Sequence, residues 1–161
     1  MHPVRVRPAT TEDAEGIARI YLQSAAHHHA IDPDRYYVPD RAAIIERYRS
    51  GAQHPRLGPD CITLVAEMEN DLAGFVDARL EHPGDPMHRP MLYCYVVEIA
   101  VAAEHRSRGI GKLLLEAIER WGSENGAGFV SLEYNTKNPR AAAFYQRLGY
   151  QPASVFTIKW L

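Results

Sequence analysis

The stretch Ile-Ala-Val-Ala-Ala-Glu-His-Arg-Ser-Arg-Gly-Ile-Gly-Lys-Leu-Leu-Leu, Ile99 to Leu115, reads as an apolar strand, a basic glycine loop and a helix that opens on that loop. Such a junction is an anion cradle. Gly109 and Gly111 remove Cβ atoms where a ligand would approach, and the unpaired N–H groups of the helix's first turn point outward at it. Arg106, Arg108 and Lys112 bring positive charge to the same mouth.

Spacing separates the kinds of phosphate cradle. A P-loop requires a glycine five positions before its Gly-Lys pair and a Ser or Thr after it, whereas Arg106 and Leu113 occupy those places. The dinucleotide fingerprint requires a third glycine where Leu114 stands. Neither reading fits. A binder of phosphate ligands in general, with no preference for one nucleotide, is disfavoured by the same two failures.

Farther along, Phe129 to Asn135 alternates Val130, Leu132 and Tyr134 with Ser131 and Glu133, the period of a strand. Then Asn138 suits a helix N-cap, Pro139 the first turn and Gly149 the residue past the end, which predicts a short helix over Pro139 to Leu148. The loop Arg106-x-x-Gly109-x-Gly111 resembles the pyrophosphate loop of the GNAT superfamily of N-acetyltransferases. The block from Asn138 through Phe144, Tyr145, Leu148, Gly149 and Tyr150 matches that family position by position. The resemblance is close from about Tyr93 onward. Before that it rests on the opening strand and helix start around Val4 to Ala14.

Composition agrees. At 161 residues and 46% hydrophobic content, residues 1–161 suit one α/β domain with a sizeable core. A net charge of −2 argues against nucleic acid or an anionic membrane as the main partner. Two cysteines, Cys61 and Cys94, suggest no disulfide scaffold, and no apolar run is long enough for a bilayer. With no secretory pattern at the N-terminus, a cytoplasmic location is expected.

The remaining chain is read coarsely. Val4 to Arg7 is a strand, and Thr10 or Thr11 caps a helix with Ala14, Ile17, Ala18 and Tyr21 on one face. Arg41 to Tyr48 is a second helix. Gly58-Pro59-Asp60 introduces a strand over Cys61 to Met68, and Asn70 and Asp71 turn it into a hairpin with Leu72 to Leu80. Another strand runs from Met91 to Val101. The helix after the cradle carries Ile110, Leu114, Ala117, Ile118 and Trp121 as an apolar stripe.

The resemblance implies a GNAT fold, with a mixed central sheet flanked by helices and two central strands splayed apart. It implies transfer of an acetyl group from acetyl-CoA to a primary amine of a small molecule or peptide. Ile99, Ala100 and Val101 would pair through their main chain with the pantetheine arm, Arg106, Arg108, Gly109, Ile110, Gly111 and Lys112 would hold the phosphates, and Asn138 would touch the arm. Tyr145 would protonate the departing thiolate, although its helical spacing with Ala141, Phe144 and Leu148 is also that of a core residue. Asn138, as a cap, is worth about 1 kcal/mol without any ligand.

For the base that accepts the amine's proton, Glu98 and Glu133 both stand in apolar strands, where burial raises a carboxyl's pKa toward a useful value. Glu98 is the favoured of the two, and a chain of waters is a third route. A solvent-facing or arginine-paired role fits either residue as well. His27, His28 and His29 are consecutive and so point about 100 degrees apart on a helix, which argues against a shared metal, and no metal is expected. With Asp32, Tyr36 and Tyr37 they are placed at the acceptor cleft by position, and Asp32, Asp34 and Asp85 would favour a cationic acceptor. The rival reading is a non-catalytic acyl-CoA-binding module. A homodimer using the terminal Thr157 to Leu161 as a strand is in keeping with the family.

Overall fold

Leu64, Ala66 and Met68 of one strand enter one apolar cluster while Val65 enters another, and Val76 and Phe75 divide in the same way on the next strand. A sheet with both faces buried follows from that alternation. A computed structural model of the chain describes residues 3–50, 60–69 and 71–161. Its strands are β1 (Arg5–Pro8), β2 (Cys61–Met68), β3 (Asp71–Glu81), β4 (Tyr93–Val101) and β5 (Val130–Ser131). The helices are α1 (Ala14–Ile31), α2 (Arg41–Arg49), α3 (Ile110–Glu124) and α4 (Pro139–Arg147).

The sheet runs β1-β2-β3-β4-β5, antiparallel except for the parallel β4–β5 pair. Ile17, Ile20 and Phe75 anchor the α1–α2 side, and Ile110, Leu114, Leu115 and Ile118 of α3 fill the other. The expected hairpin forms, with Met68 opposite Asp71; Asn70 and the Gly58-Pro59 lead-in lie outside the described residues. Entry to α1 is fixed by Asp13. It accepts from the Thr10 N–H at 2.7 Å and from two nitrogens of Arg7 at 2.7 and 2.9 Å, which hold its carboxyl below the usual range.

Three expectations change. The strand expected from Met91 begins at Tyr93. The strand expected over Phe129 to Asn135 pairs with β4 only at Cys94↔Val130 and Tyr95↔Ser131, because the chain then leaves β4 while Leu132 and Tyr134 still pack on the core. The terminal segment expected as a strand has none: from Gln151 to Leu161 it is exposed, Phe156 and Trp160 included.

Gly74 lies where β3, β4 and α3 are tightest. A Cβ there would sit 2.9 Å from the Ala100 carbonyl oxygen, 3.1 Å from Leu114 Cδ1 and 3.2 Å from Ile110 Cγ2. Because backbone and helix both confine it, Gly74→Ala is expected to lower stability by about 1–3 kcal/mol, the range for overpacking. Urea unfolding monitored by circular dichroism measures it, and an unchanged midpoint would show that α3 yields.

Candidate active site

Between Asp77 and Ala78 the β3–β4 register slips: Asp77 opposes Glu98 and Ala78 opposes Val96, leaving Val97 unopposed. This bulge falls just beyond Tyr95, the last β4 residue paired with β5. The outer edge of β4 is therefore open from Val96 to Val101 among the described residues, and Ile99, Ala100 and Val101 lie along it. Bulges bend a strand and raise its local twist, which is how two neighbours come to part.

Beyond that edge, Gly109 is the N-cap of α3 at φ 81, a left-handed conformation that favours glycine, and no side chain caps the helix. The space where its Cβ would be is empty. Gly111 differs. A Cβ there would come within 3.2 Å of Phe144 Cζ, so this glycine admits the α4 ring against the first turn of α3. Arg106 donates from Nε to the Val101 carbonyl at 3.3 Å and ties the loop to β4. Arg108 and Lys112 are exposed, the latter 3.7 Å from Glu116 one turn on. Arg140 reaches the same loop from α4 and donates to Ser107 Oγ at 3.3 Å.

Asn138 caps α4 by accepting from the Ala141 N–H at 3.1 Å. Two turns farther, Tyr145 is buried among Tyr134, Phe144 and Tyr150, whose ring centroids lie 5.7, 5.3 and 5.9 Å away. Burial, and then the charge of Glu98, push its hydroxyl up to about 12. Tyr145 is thus a core residue, as its helical spacing also predicted.

Glu98 accepts from Ser24 Oγ of α1 at 3.2 Å. Burial pushes its carboxyl up to about 7, with the nearby Asp77 adding to the effect and Ser24 and Arg47 opposing it. Asp77 itself is buried and accepts from Tyr48 Oη and Thr63 Oγ1, each at 2.7 Å. Glu133, by contrast, is exposed and has no hydrogen bond or ion pair among the described residues.

At the end of α1, His28 sets Nδ1 3.0 Å from the Ser24 carbonyl and its ring 5.2 Å from Tyr36, and burial lowers its pKa. His27 and His29 are exposed, so the three imidazoles fan out from the end of α1. Tyr37 is exposed as well. Asp32 is buried, accepting from Asn135 at 2.9 Å and from Lys137 at 2.8 Å, and these hold its carboxyl low. Its charge is thereby matched. Asp34 is exposed and Asp85 accepts from the Met87 N–H, so the three aspartates form no common acidic surface. Elsewhere Asp71, Glu104 and His105 bring ligand-type atoms within 4.8 Å of one another, but Arg19 bridges the two carboxylates.

Sequence reasoning missed Ser24, Tyr48, Asp77 and the Asp32 clasp. Asp77 was detectable, since a carboxylate inside Leu72-Ala-Gly-Phe-Val-Asp-Ala78 is as anomalous as Glu98 in its own strand.

The described residues thus set an open sheet edge beside an uncapped glycine-led helix. The sequence pattern of the Acetyltransferase (GNAT) family matches residues 17–150. The chain belongs to that family. It is 23% identical over 154 residues to the uncharacterized N-acetyltransferase YhfO of Bacillus subtilis, covering 95% of this chain and 93% of that one. It is 25% identical over 89 residues to an aminoglycoside N(6')-acetyltransferase of Salmonella typhimurium, or 55% and 61% of the two chains. A match to YobR of Bacillus subtilis, at 34% identity, spans only 23% of that protein. Among solved structures, a mutant of the BH1408 protein from Bacillus halodurans superposes with a TM-score of 0.85 at 25% identity, over 98% and 99% of the chains. Aminoglycoside N-acetyltransferase AAC(6')-Iy in complex with CoA shares the fold, with a TM-score of 0.73 at 17% identity over 100% and 96%. No helix among the described residues is long and apolar enough to cross a membrane.

A carboxyl whose folded-state value lies above its unfolded value contributes stability that is full below about 4.5 and is lost as pH rises through about 7. Ionised Glu98 then costs on the order of 3 kcal/mol. Glu98→Gln is therefore expected to melt progressively higher than the parent protein as pH rises from about 5 to about 9. A pH-independent difference in Tm would place Glu98 in a solvent-like setting.

Proposed function

We propose that the chain transfers the acetyl group of acetyl-CoA to a primary amine of a small molecule or peptide. The observation that carries this reading is the parting of β4 from β5 directly beside Glu98 and Tyr145. Acetyl-CoA supplies the thioester carbonyl that the amine attacks. The open main chain of Ile99 to Val101 suits the amide groups of its arm, while the φ 81 turn at Gly109 and the uncapped start of α3 suit its phosphates. Arg108, Lys112 and Arg140 add positive charge there, with Arg106 holding the loop to β4.

Glu98 is the better-placed base. Its Oε1 is held by Ser24 and its Oε2 has no partner among the described residues, so one oxygen is free to take the proton lost by the attacking ammonium. With a carboxyl near 7 it is partly ionised at neutral pH and close in proton affinity to its task. Glu133, two residues past β5, is exposed to solvent.

Tyr145 carries its proton at neutral pH, as a donor must. A thiol titrates near 8.5, so complete transfer from a hydroxyl near 12 would be uphill by on the order of 5 kcal/mol. Tyr145 therefore acts by donating a hydrogen bond to the sulfur as its charge grows. A cationic acceptor of the aminoglycoside kind is in keeping with the relatives, although the acidic surroundings on which such a preference would rest reduce to Glu98 and Asp77.

Thiol release from acetyl-CoA across polyamines, aminoglycosides, amino acids and peptides, against a no-acceptor blank, tests the reading. Turnover with one amine class is expected; acetyl-CoA binding with silence across the panel would favour the non-catalytic acyl-CoA module. With that amine, Tyr145→Phe is expected to lower kcat roughly 10- to 100-fold while leaving the acetyl-CoA Kd nearly unchanged. Gly109→Val should instead raise that Kd, because a branched residue resists φ 81; parent-like affinity would remove the cradle from the site.

A further inference from the structure

Two neighbours of Glu98 belong to no function assigned so far. Ser24, midway along α1, donates to Glu98 Oε1 at 3.2 Å. Asp77 of β3 opposes Glu98 across the bulged pair, where side chains of facing residues stand side by side. Among the described residues, Arg47 and Tyr48 of α2 and Tyr145 of α4 also interact electrostatically with the carboxyl, and His28 of α1 lies behind Ser24 with Nδ1 3.4 Å from its Oγ.

Asp77 is not a spare base. Both its oxygens are occupied, by Tyr48 Oη from α2 and by Thr63 Oγ1 from β2. A buried carboxylate that accepts from two hydroxyls is fixed in position. Facing Glu98, Asp77 disfavours ionisation there, whereas the Ser24 hydroxyl donates to Glu98 and stabilises its ionised form.

We propose that Ser24 of α1, through its hydrogen bond, and Asp77 of β3, as the facing cross-strand residue, are positioning residues for Glu98. This rests on the reading of Glu98 as the base. Tyr48 and Thr63 serve the pair at one remove, by holding Asp77 in place.

The test is carboxyl-carbon NMR titration of the full chain, with the Glu98 resonance identified by its loss in Glu98→Gln. Ser24→Ala is expected to raise the Glu98 midpoint and Asp77→Asn to lower it, each by roughly half a pH unit or more. Ser24→Thr, which keeps the hydroxyl, should return the midpoint to that of the parent protein. The acid limb of kcat/KM for the amine found by thiol release should move in the same order. Midpoints unmoved by Ser24→Ala, or shifted the same way by both substitutions, overturn the inference. Should Asp77→Asn fail to fold, the Ser24 pair decides alone. If the midpoints move as expected but the acid limb survives Glu98→Gln, the proposed base is what fails.

Discussion

Pairing of β4 on one edge only beyond Tyr95 is the constraint from which the site follows. Along β3 the strand is matched over nearly its whole length, and along β5 for two residues. Buried backbone N–H and C=O groups need partners, so an unmatched stretch in the middle of a sheet is tolerable only where water or a ligand reaches it. The bulge at Val97 makes the divergence possible, and the tyrosines at 134, 145 and 150 line the departure of the chain after Ser131. Glu98 owes its environment to the same geometry: it is held against α1 on a strand whose other edge is open.

The two sides of the sheet divide the labour. α3 and α4 carry the glycine-led turn, the loop cations and Tyr145. α1, α2 and β3 carry the groups that surround Glu98, and Asp32 joins the end of α1 to the segment before α4 through Asn135 and Lys137. Asp77 and Asp32 each have both carboxylate oxygens hydrogen-bonded, which is what a buried polar network requires if it is to fix one arrangement.

Much of this was legible in the sequence because its signals are local. The glycine at 109 needs φ 81, the asparagine at 138 caps its own helix, and alternation in β2 and β3 reports two covered faces. What local patterns miss is contact between distant segments. Ser24 meets Glu98 across 74 positions and Lys137 meets Asp32 across 105, and no periodicity encodes either meeting. Val130, Leu132 and Tyr134 promised a long strand because alternation reports a buried face, but it cannot report whether a neighbour stays alongside. Gly111 shows a similar limit: its spacing marks a cradle, while its missing Cβ makes room for Phe144.

That last contact has a mechanical meaning. Phe144 is seated against Gly111, and Tyr145 is the next residue in the same helix. Any motion that carried the hydroxyl away from the parted strands would have to unseat the ring from the start of α3. The turn at Gly109 and the Tyr145 hydroxyl are thereby held at a fixed separation. In the proposed acetyl transfer that separation makes the protein a gauge of length, and a thioester on an arm too short or too long would be refused by distance rather than by chemistry.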